Sequence, residues 1–220
     1  MRIKYRSMWL VKCLAAMDRT FTIKSNDRVF FAGKTGAGKT YLAKHLTRTI
    51  NRLVILDGKG TLKDWDTLSF SDGRRALRIG EPVRIRALPD MRDNAVEYWD
   101  NVLTECYDAG NVTIYIDELY SIVPPGQNAT PALWGCYTRG REYGVGVWAA
   151  TQRPVWIPLV ALSESEHYFL FRLTLDEDRK RMAAFMGGEV IRPITDNHGF
   201  FYNRVEWDSP IYYKRLKSGG

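Results

Sequence analysis

The sequence predicts an α/β fold, a mostly parallel sheet flanked by helices with a C-terminal β-hairpin. Three observations predict it. The Gly-rich octapeptide Gly33-Lys34-Thr35-Gly36-Ala37-Gly38-Lys39-Thr40 lies between the apolar run Val29-Phe30-Phe31-Ala32 and the helix-forming run Tyr41-Leu42-Ala43-Lys44-His45-Leu46. A second apolar run, Val112-Thr113-Ile114-Tyr115-Ile116, ends in two adjacent carboxylates, Asp117 and Glu118. Around these landmarks, short buried-type runs alternate with segments of helical periodicity, the pattern of strands joined by crossover helices.

The octapeptide fits G-x-x-x-x-G-K-[ST], the phosphate-binding P-loop, in the strand–loop–helix context that the motif needs. Its glycines let the backbone approach an anion closely. Successive N–H groups and the positive end of the following helix then face the phosphates. ATP is the expected ligand, held by residues 33–41, from Gly33 to Tyr41. Lys39 reaches the β- and γ-phosphates, and the Thr40 hydroxyl ligates Mg²⁺. A strand delivering Asp117 and Glu118 to its C-terminal end supplies the second half of such a site. Asp117 is expected on the metal and Glu118 on the attacking water as general base.

A chain of 220 residues, 45% apolar and 26% charged, suits one folded domain and excludes a disordered one. The net charge of +7 favours a polyanionic partner, nucleic acid first. Cys13, Cys106 and Cys136 stand apart, so neither a disulfide framework nor a zinc site is expected, and a reducing compartment fits. The apolar stretch at 8–17 is broken by Lys12 and is too short to span a bilayer. No stable membrane insertion and no signal peptide are expected.

Taken in order, residues 1–28 form an N-terminal addition packed on the main domain or reaching a neighbour. Phe21-Thr22-Ile23 is its strand and Asn26-Asp27 a turn. The main domain covers 29–216, and 217–220 is a frayed tail. Arg52-Leu53-Val54-Ile55-Leu56 reads as a buried strand ending at the Asp57-Gly58-Lys59 turn. Residues 61–80 read as polar and irregular. Val83-Arg84-Ile85-Arg86-Ala87-Leu88 reads as a strand, with Arg84 and Arg86 on its more polar face. Residues 94–109 read as a helix, with Asp93 as N-cap and Gly110 as its stop. Thr130 and Pro131 open another helix, ending near Arg139 and Arg141. Val145-Gly146-Val147-Trp148-Ala149-Ala150-Thr151 is a strand that ends at Gln152-Arg153-Pro154, where Gln152 could sense the γ-phosphate or position water. His167-Tyr168-Phe169-Leu170-Phe171-Arg172-Leu173 is a strand, and residues 176–186 form a basic helix stopped by Gly187-Gly188. The closing hairpin pairs 199–203 with Val205-Glu206-Trp207 across a turn near Asn203-Arg204. The three histidines, His45, His167 and His198, share no ligand spacing, so surface or packing roles are expected for all three.

The P-loop, Ile114-Tyr115-Ile116-Asp117-Glu118 and Ala150-Thr151-Gln152-Arg153-Pro154 together resemble the FtsK/HerA superfamily of DNA-pumping ATPases, a P-loop NTPase fold of the RecA-like ASCE type. The Ala-Thr-Gln-Arg-Pro string is the most specific part. The likeness covers residues 27–207. With neither a membrane anchor nor a DNA-reading winged helix nor a large N-terminal barrel in view, the chain looks most like genome-packaging ATPases of tailless double-stranded DNA viruses. The resemblance implies a homo-oligomeric ring, a hexamer in many relatives, threading double-stranded DNA of any sequence. It also implies capsid or portal-vertex partners, and a place in the host cytoplasm or at a packaging vertex of the virion. It implies a trans-acting arginine finger. Arg179 matches best, with Arg181, Arg139 and Arg141 as alternatives. Lys59, Lys63, Arg74 and Arg75 are candidate DNA contacts by their place in loops. A HerA-like helicase or conjugative pump is the alternative within the same chemistry. A nucleotide-dependent assembly protein without translocation is the alternative outside it.

Overall fold

The computed structural model describes residues 8–11, 21–90 and 94–214. A nine-stranded sheet dominates. Its strands are β3 (Arg28–Ala32), β4 (Arg52–Leu56), β5 (Leu68–Ser69), β6 (Val83–Ala87), β7 (Thr113–Ile116), β8 (Gly146–Thr151), β9 (His167–Phe171), β10 (Phe200–Arg204) and β11 (Ile211–Tyr213). Their order across the sheet is β11-β10-β9-β3-β8-β7-β4-β6-β5. From β9 to β5 every pair is parallel; β10 and β11 are antiparallel additions at one end. A separate antiparallel pair joins β1 (Met8–Val11) to β2 (Phe21–Lys24).

Both faces of the sheet are covered, which is why the central strands are apolar throughout. On one face lie α2 (Phe70–Arg78), α3 (Ala95–Ala109), α4 (Pro131–Thr138), α5 (Leu159–Ser163) and α6 (Asp176–Met186). Leu77, Trp99, Leu103, Leu133 and Met182 from these helices pack on Phe30, Val54, Ile114 and Val147. On the other face α1 (Lys39–Thr47) sets Leu42, Ala43 and Leu46 against Val29, Phe31, Ile55 and Tyr115. Residues of opposite parity on β3 therefore serve opposite layers, as the two-residue repeat of a strand requires. Each fully buried Leu or Phe stabilises this arrangement by about 1.5–3 kcal/mol.

Helix ends follow their expected chemistry. The Thr130 hydroxyl accepts from the Leu133 N–H at 3.4 Å, with Pro131 in the first turn of α4. Asp176, Glu177 and Asp178 fill the first turn of α6, where the helix dipole favours negative charge.

Three expectations are corrected. Residues 61–80 are not irregular: β5 and α2 lie there. Ser69 caps α2 by accepting from the Asp72 N–H at 3.2 Å, and Gly73 lets the helix sit directly on β6. A Cβ at Gly73 would lie 2.4 Å from Ile85 Cγ1. The hairpin's second strand is β11, not Val205-Glu206-Trp207. The Val205 N–H donates to Glu166 O and Trp207 turns back to Arg204 O, so these residues form the connection. The Trp207 ring stands edge-on to Tyr202 at 5.3 Å, which explains its apolar character without a strand. Asn94, rather than Asp93, occupies the N-cap position of α3; Asp93 lies outside the described residues. So do the expected tail at 217–220, Cys13 and most of the N-terminal addition. The short helix α5 was not anticipated.

Candidate active site

The parallel strands deliver their C-terminal ends to one edge, where such sheets bind ligands. The P-loop leaves β3 and is tied to both neighbours of that strand. The Gly33 N–H donates to Thr151 O at 3.1 Å, at the end of β8, and the Lys34 N–H to Arg172 O at 2.8 Å, just past β9. Gly33 presses so closely on β9 that a Cβ there would stand 2.6 Å from Phe171 Cβ. Gly38 caps α1 at φ 109°, a backbone region where side chains are strained. Two of the glycines thus have separate reasons, one of space and one of conformation.

The Lys39 ammonium curls over the loop, donating to Gly33 O at 2.6 Å and Lys34 O at 3.1 Å. Burial pushes its pKa down to about 8, against the opposing pull of Glu118 and Asp117. Thr40 Oγ1 donates to Asp117 Oδ1 at 3.0 Å. The Tyr115 hydroxyl donates to the same oxygen at 3.0 Å. Burial holds that phenol well above its ordinary pKa, so it remains a donor. Its ring stacks on Trp65 at 5.0 Å, which fixes its direction.

Glu118 is almost wholly buried and held from two sides. Gln152 donates to it twice, from its backbone N–H to Oε1 at 3.2 Å and from Nε2 to Oε2 at 3.0 Å. Lys59 Nζ lies 3.2 Å from Oε2. Gln152 Oε1 in turn accepts from Thr35 Oγ1 at 2.7 Å, so the chain of contacts closes on the P-loop. Lys59 is placed by the turn after β4. There the buried Asp57 carboxylate accepts from the Thr61 and Leu62 N–H groups, at 3.1 and 2.9 Å, and faces Arg86 at 3.7 Å. Asp57 is therefore a builder of the turn and Lys59 the group it presents.

Part of this set lines a cavity of about 640 Å³. Thr35, Gly36, Gly38, Lys39, Thr40, Tyr41, Asp117, Glu118 and Gln152, all expected at the site, share its wall. Gly33, Lys34 and Ala37 belong to the loop but not to the lining. Four lining residues were not assigned to the site from the sequence: Lys59, Thr61, Phe171 and His198. From the sequence, Lys59 is a DNA candidate only, and His198 a surface or packing residue. The antiparallel β10 brings His198 beside the P-loop, a juxtaposition that no local motif announces.

The arginines are not brought to this cavity. Arg179 is packed within its own chain, donating to Leu173 O at 3.0 Å and Thr174 O at 3.3 Å and pairing with Asp176. Arg181 lies 5.9 Å from the Phe185 ring centroid. Arg139 lies 5.9 Å from that of Tyr107, and Arg141 pairs with Glu166 at 2.7 Å. These last two sit near the starting ends of β3 and β8, the sheet edge opposite the P-loop. Of the loop cations proposed for DNA, Arg74 and Arg75 lie on α2, and Arg74 Nε donates to Glu105 at 2.7 Å; Lys63 is exposed.

Thr40 and Asp117 offer a hydroxyl and a carboxylate oxygen side by side on the cavity wall, hard donors of the kind that Mg²⁺ takes. The site can hold a triphosphate, a cation beside it and a carboxylate next to the water that would attack.

No family model matches the chain. The DNA packaging ATPase P9 of Enterobacteria phage PRD1 is 29% identical over 170 residues, which cover 72% of this chain and 70% of P9. Among solved structures, the genome packaging NTPase B204 of Sulfolobus turreted icosahedral virus 2, in complex with AMPPCP, superposes with a TM-score of 0.74. It is 15% identical over 89% of this chain and all of B204. The pCW3 conjugation coupling protein TcpA, with ATPγS, gives 0.64 at 11% identity over 96% of this chain and 66% of TcpA. The fold is that of the P-loop NTPases, and the comparisons bear out the resemblance to FtsK/HerA-type packaging ATPases. Among the described residues, no helix is long and apolar enough to cross a membrane.

Proposed function

We propose that this chain is an ATP-driven double-stranded DNA translocase that packages a viral genome into a preformed capsid. The observation that carries the reading is the convergence of Lys39, the Thr40–Asp117 pair and the Gln152–Glu118 pair on one cavity. Sequence likeness to a packaging ATPase, P9, favours this over a conjugative pump, for which the likeness is one of fold.

P-loop N–H groups and the start of α1 bind the phosphates. Lys39 leaves the carbonyls of Gly33 and Lys34 for the β- and γ-oxygens. Thr40 and Asp117 would hold Mg²⁺, which supplies Lewis-acid stabilisation of the phosphoryl charge. Tyr115 steadies Asp117 from behind. Glu118 accepts a proton from the attacking water; the water oxygen bonds to the γ-phosphorus as the bond to the ADP leaving oxygen breaks. Gln152, bonded to both Glu118 and Thr35, reports whether the γ-phosphate is present. Arg179 of an adjacent subunit is proposed as the positive clamp in trans. Acting so requires it to exchange its own carbonyl and carboxylate partners for the phosphoryl group.

Such a motor acts as a homo-oligomeric ring, hexameric in our reading, gripping duplex phosphates without regard to sequence. It meets capsid vertex proteins in the host cytoplasm or the assembling virion. The test is phosphate release with and without duplex DNA. Stimulation by unrelated sequences alike, weakening steeply with salt, is expected. Stimulation by one defined sequence only, or by none, would reject the translocase reading.

A further inference from the structure

Phosphates account for only part of the cavity wall. Three rings also line it: Tyr41, Phe171 and His198. A triphosphate has no use for aromatic walls, whereas a nucleobase, whose π-face stacks on any ring, does.

His198 is the member best explained by a ligand. It is exposed, and its backbone sits at φ 61°, in the left-handed region that glycine favours and that Asn, Asp and His enter more readily than other side chains. The turn that carries it is built. The Tyr212 hydroxyl donates to Asp196 Oδ2 at 2.6 Å, and the Gly199 N–H donates to Asp196 O at 3.3 Å. A Cβ at Gly199 would stand 2.4 Å from the Tyr212 oxygen and 3.0 Å from Asp196 Cβ, so a side chain there would push on the bond that braces the turn. The result sets the imidazole next to the start of α1. The position of a Cβ at Gly38 lies 3.5 Å from His198 Nδ1 and 3.2 Å from the Phe171 ring. Tyr41, in the first turn of the same helix, is 60% exposed. An exposed ring held on a braced turn, at the mouth of a phosphate site, is a pre-formed stacking wall.

We propose that His198 forms one wall of a nucleobase slot, with Tyr41 as its other exposed ring and the buried Phe171 backing the two from the core. The slot takes the base of the nucleoside triphosphate whose phosphates occupy the P-loop. This rests on the nucleotide-binding reading above and adds a residue that selects for a base over bare phosphate.

The experiment separates base from phosphate. Calorimetric titration compares Mg·ATP with Mg·tripolyphosphate on the parental protein, His198→Ala and His198→Phe. Loss of the ring in His198→Ala is expected to weaken ATP on the order of tenfold and leave tripolyphosphate within about twofold of the parental affinity. His198→Phe, which keeps a stacking surface, should retain most of the ATP affinity. Equal loss for both ligands, or no loss for ATP, overturns the slot. Parental protein that binds tripolyphosphate as tightly as ATP overturns it too, while leaving the P-loop reading intact. Binding of neither ligand removes the nucleotide reading and the slot together.

Discussion

Gln152 and Glu118 are bonded twice, through the backbone N–H at 3.2 Å and the side-chain amide at 3.0 Å. The residue proposed to sense the γ-phosphate therefore also aims the carboxylate proposed as the base. A shift of one moves the other, and Lys59 contacts the same Oε2 oxygen that the Gln152 amide bonds.

Glu118→Gln is expected to bind Mg·ATP nearly as well as the parent and to lose turnover by about 10²–10⁴-fold, the usual range for a general base. Gln152→Ala should lower kcat by less, because the carboxylate survives but is aimed less well. Single-turnover hydrolysis beside equilibrium nucleotide binding makes the measurement. Equal and mild effects of the two changes would mean that Glu118 is a structural acid and not the general base.

Lys39 gives a pH signature. Its folded-state pKa is lowered to about 8 by burial, so in the free protein the ammonium loses its proton as pH rises through that value. The unfolded chain keeps the proton to the ordinary lysine range, so between these limits the unfolded state binds more protons. Stability contributed at this residue therefore rises with pH across that window, as the cost of burying the charge is relieved. Nucleotide binding acts in the opposite sense, because phosphate favours the charged amine. At pH 8 binding should take up about half a proton per site, read as a dependence of calorimetric heat on buffer ionisation enthalpy. Heats free of such dependence would mean that Lys39 stays protonated in the free protein.

How much of this was legible follows from where the signals lie. Lys39, Thr40, Asp117, Glu118 and Gln152 meet at one cavity because each follows a strand of the same parallel sheet, and parallel strands end at one edge. Helix α6 was read to its limits because Gly187 marks its stop. Helix α2 was missed because its pattern is thin: Gly73 is its contact point on β6, and polar residues fill most of the rest. The strand assigned to Val205-Glu206-Trp207 came from apolar alternation that serves the packing of Trp207 on Tyr202 instead. His198 was invisible as a site residue because only the tertiary pairing of β10 with β9 brings it to the P-loop.

Asp178 ties the strand end that carries Gln152 to α6. Its carboxylate, almost wholly buried, accepts from Arg153 Nε at 2.8 Å and the Val155 N–H at 3.1 Å. Arg153 also lies 4.3 Å from the Trp156 ring centroid. Asp178→Ala leaves the Val155 N–H without its acceptor and the Arg153 guanidinium with Glu177 as its remaining carboxylate partner, at a cost of about 2–3 kcal/mol. For a domain of this size that is a fall in Tm of roughly 4–12 °C. Thermal unfolding of the apo protein reads it; a change under about 1 °C would show that this contact carries little of the fold.

The Arg179 guanidinium is occupied by its own chain. If it acts across a subunit boundary, its local partners compete with the phosphoryl group. Asp176→Asn weakens the competing ion pair without touching the finger, so turnover in assembled rings should hold or rise. Arg179→Ala should bind nucleotide almost normally and lose about a thousandfold in turnover. A purely structural Arg179 predicts otherwise: both changes would lower Tm, and turnover would fall only as far as folded protein is lost. Mixing decides where the residue acts. Rings of Arg179→Ala alone or Glu118→Gln alone contain only defective sites. A mixed boundary can join an intact Glu118 on one subunit to an intact Arg179 on its neighbour. Partial recovery of hydrolysis on mixing is the expected result. Rings shown to contain both variants that recover nothing would return Arg179 to a role inside its own subunit, and the same mixing experiment would then pass to Arg181, Arg139 and Arg141.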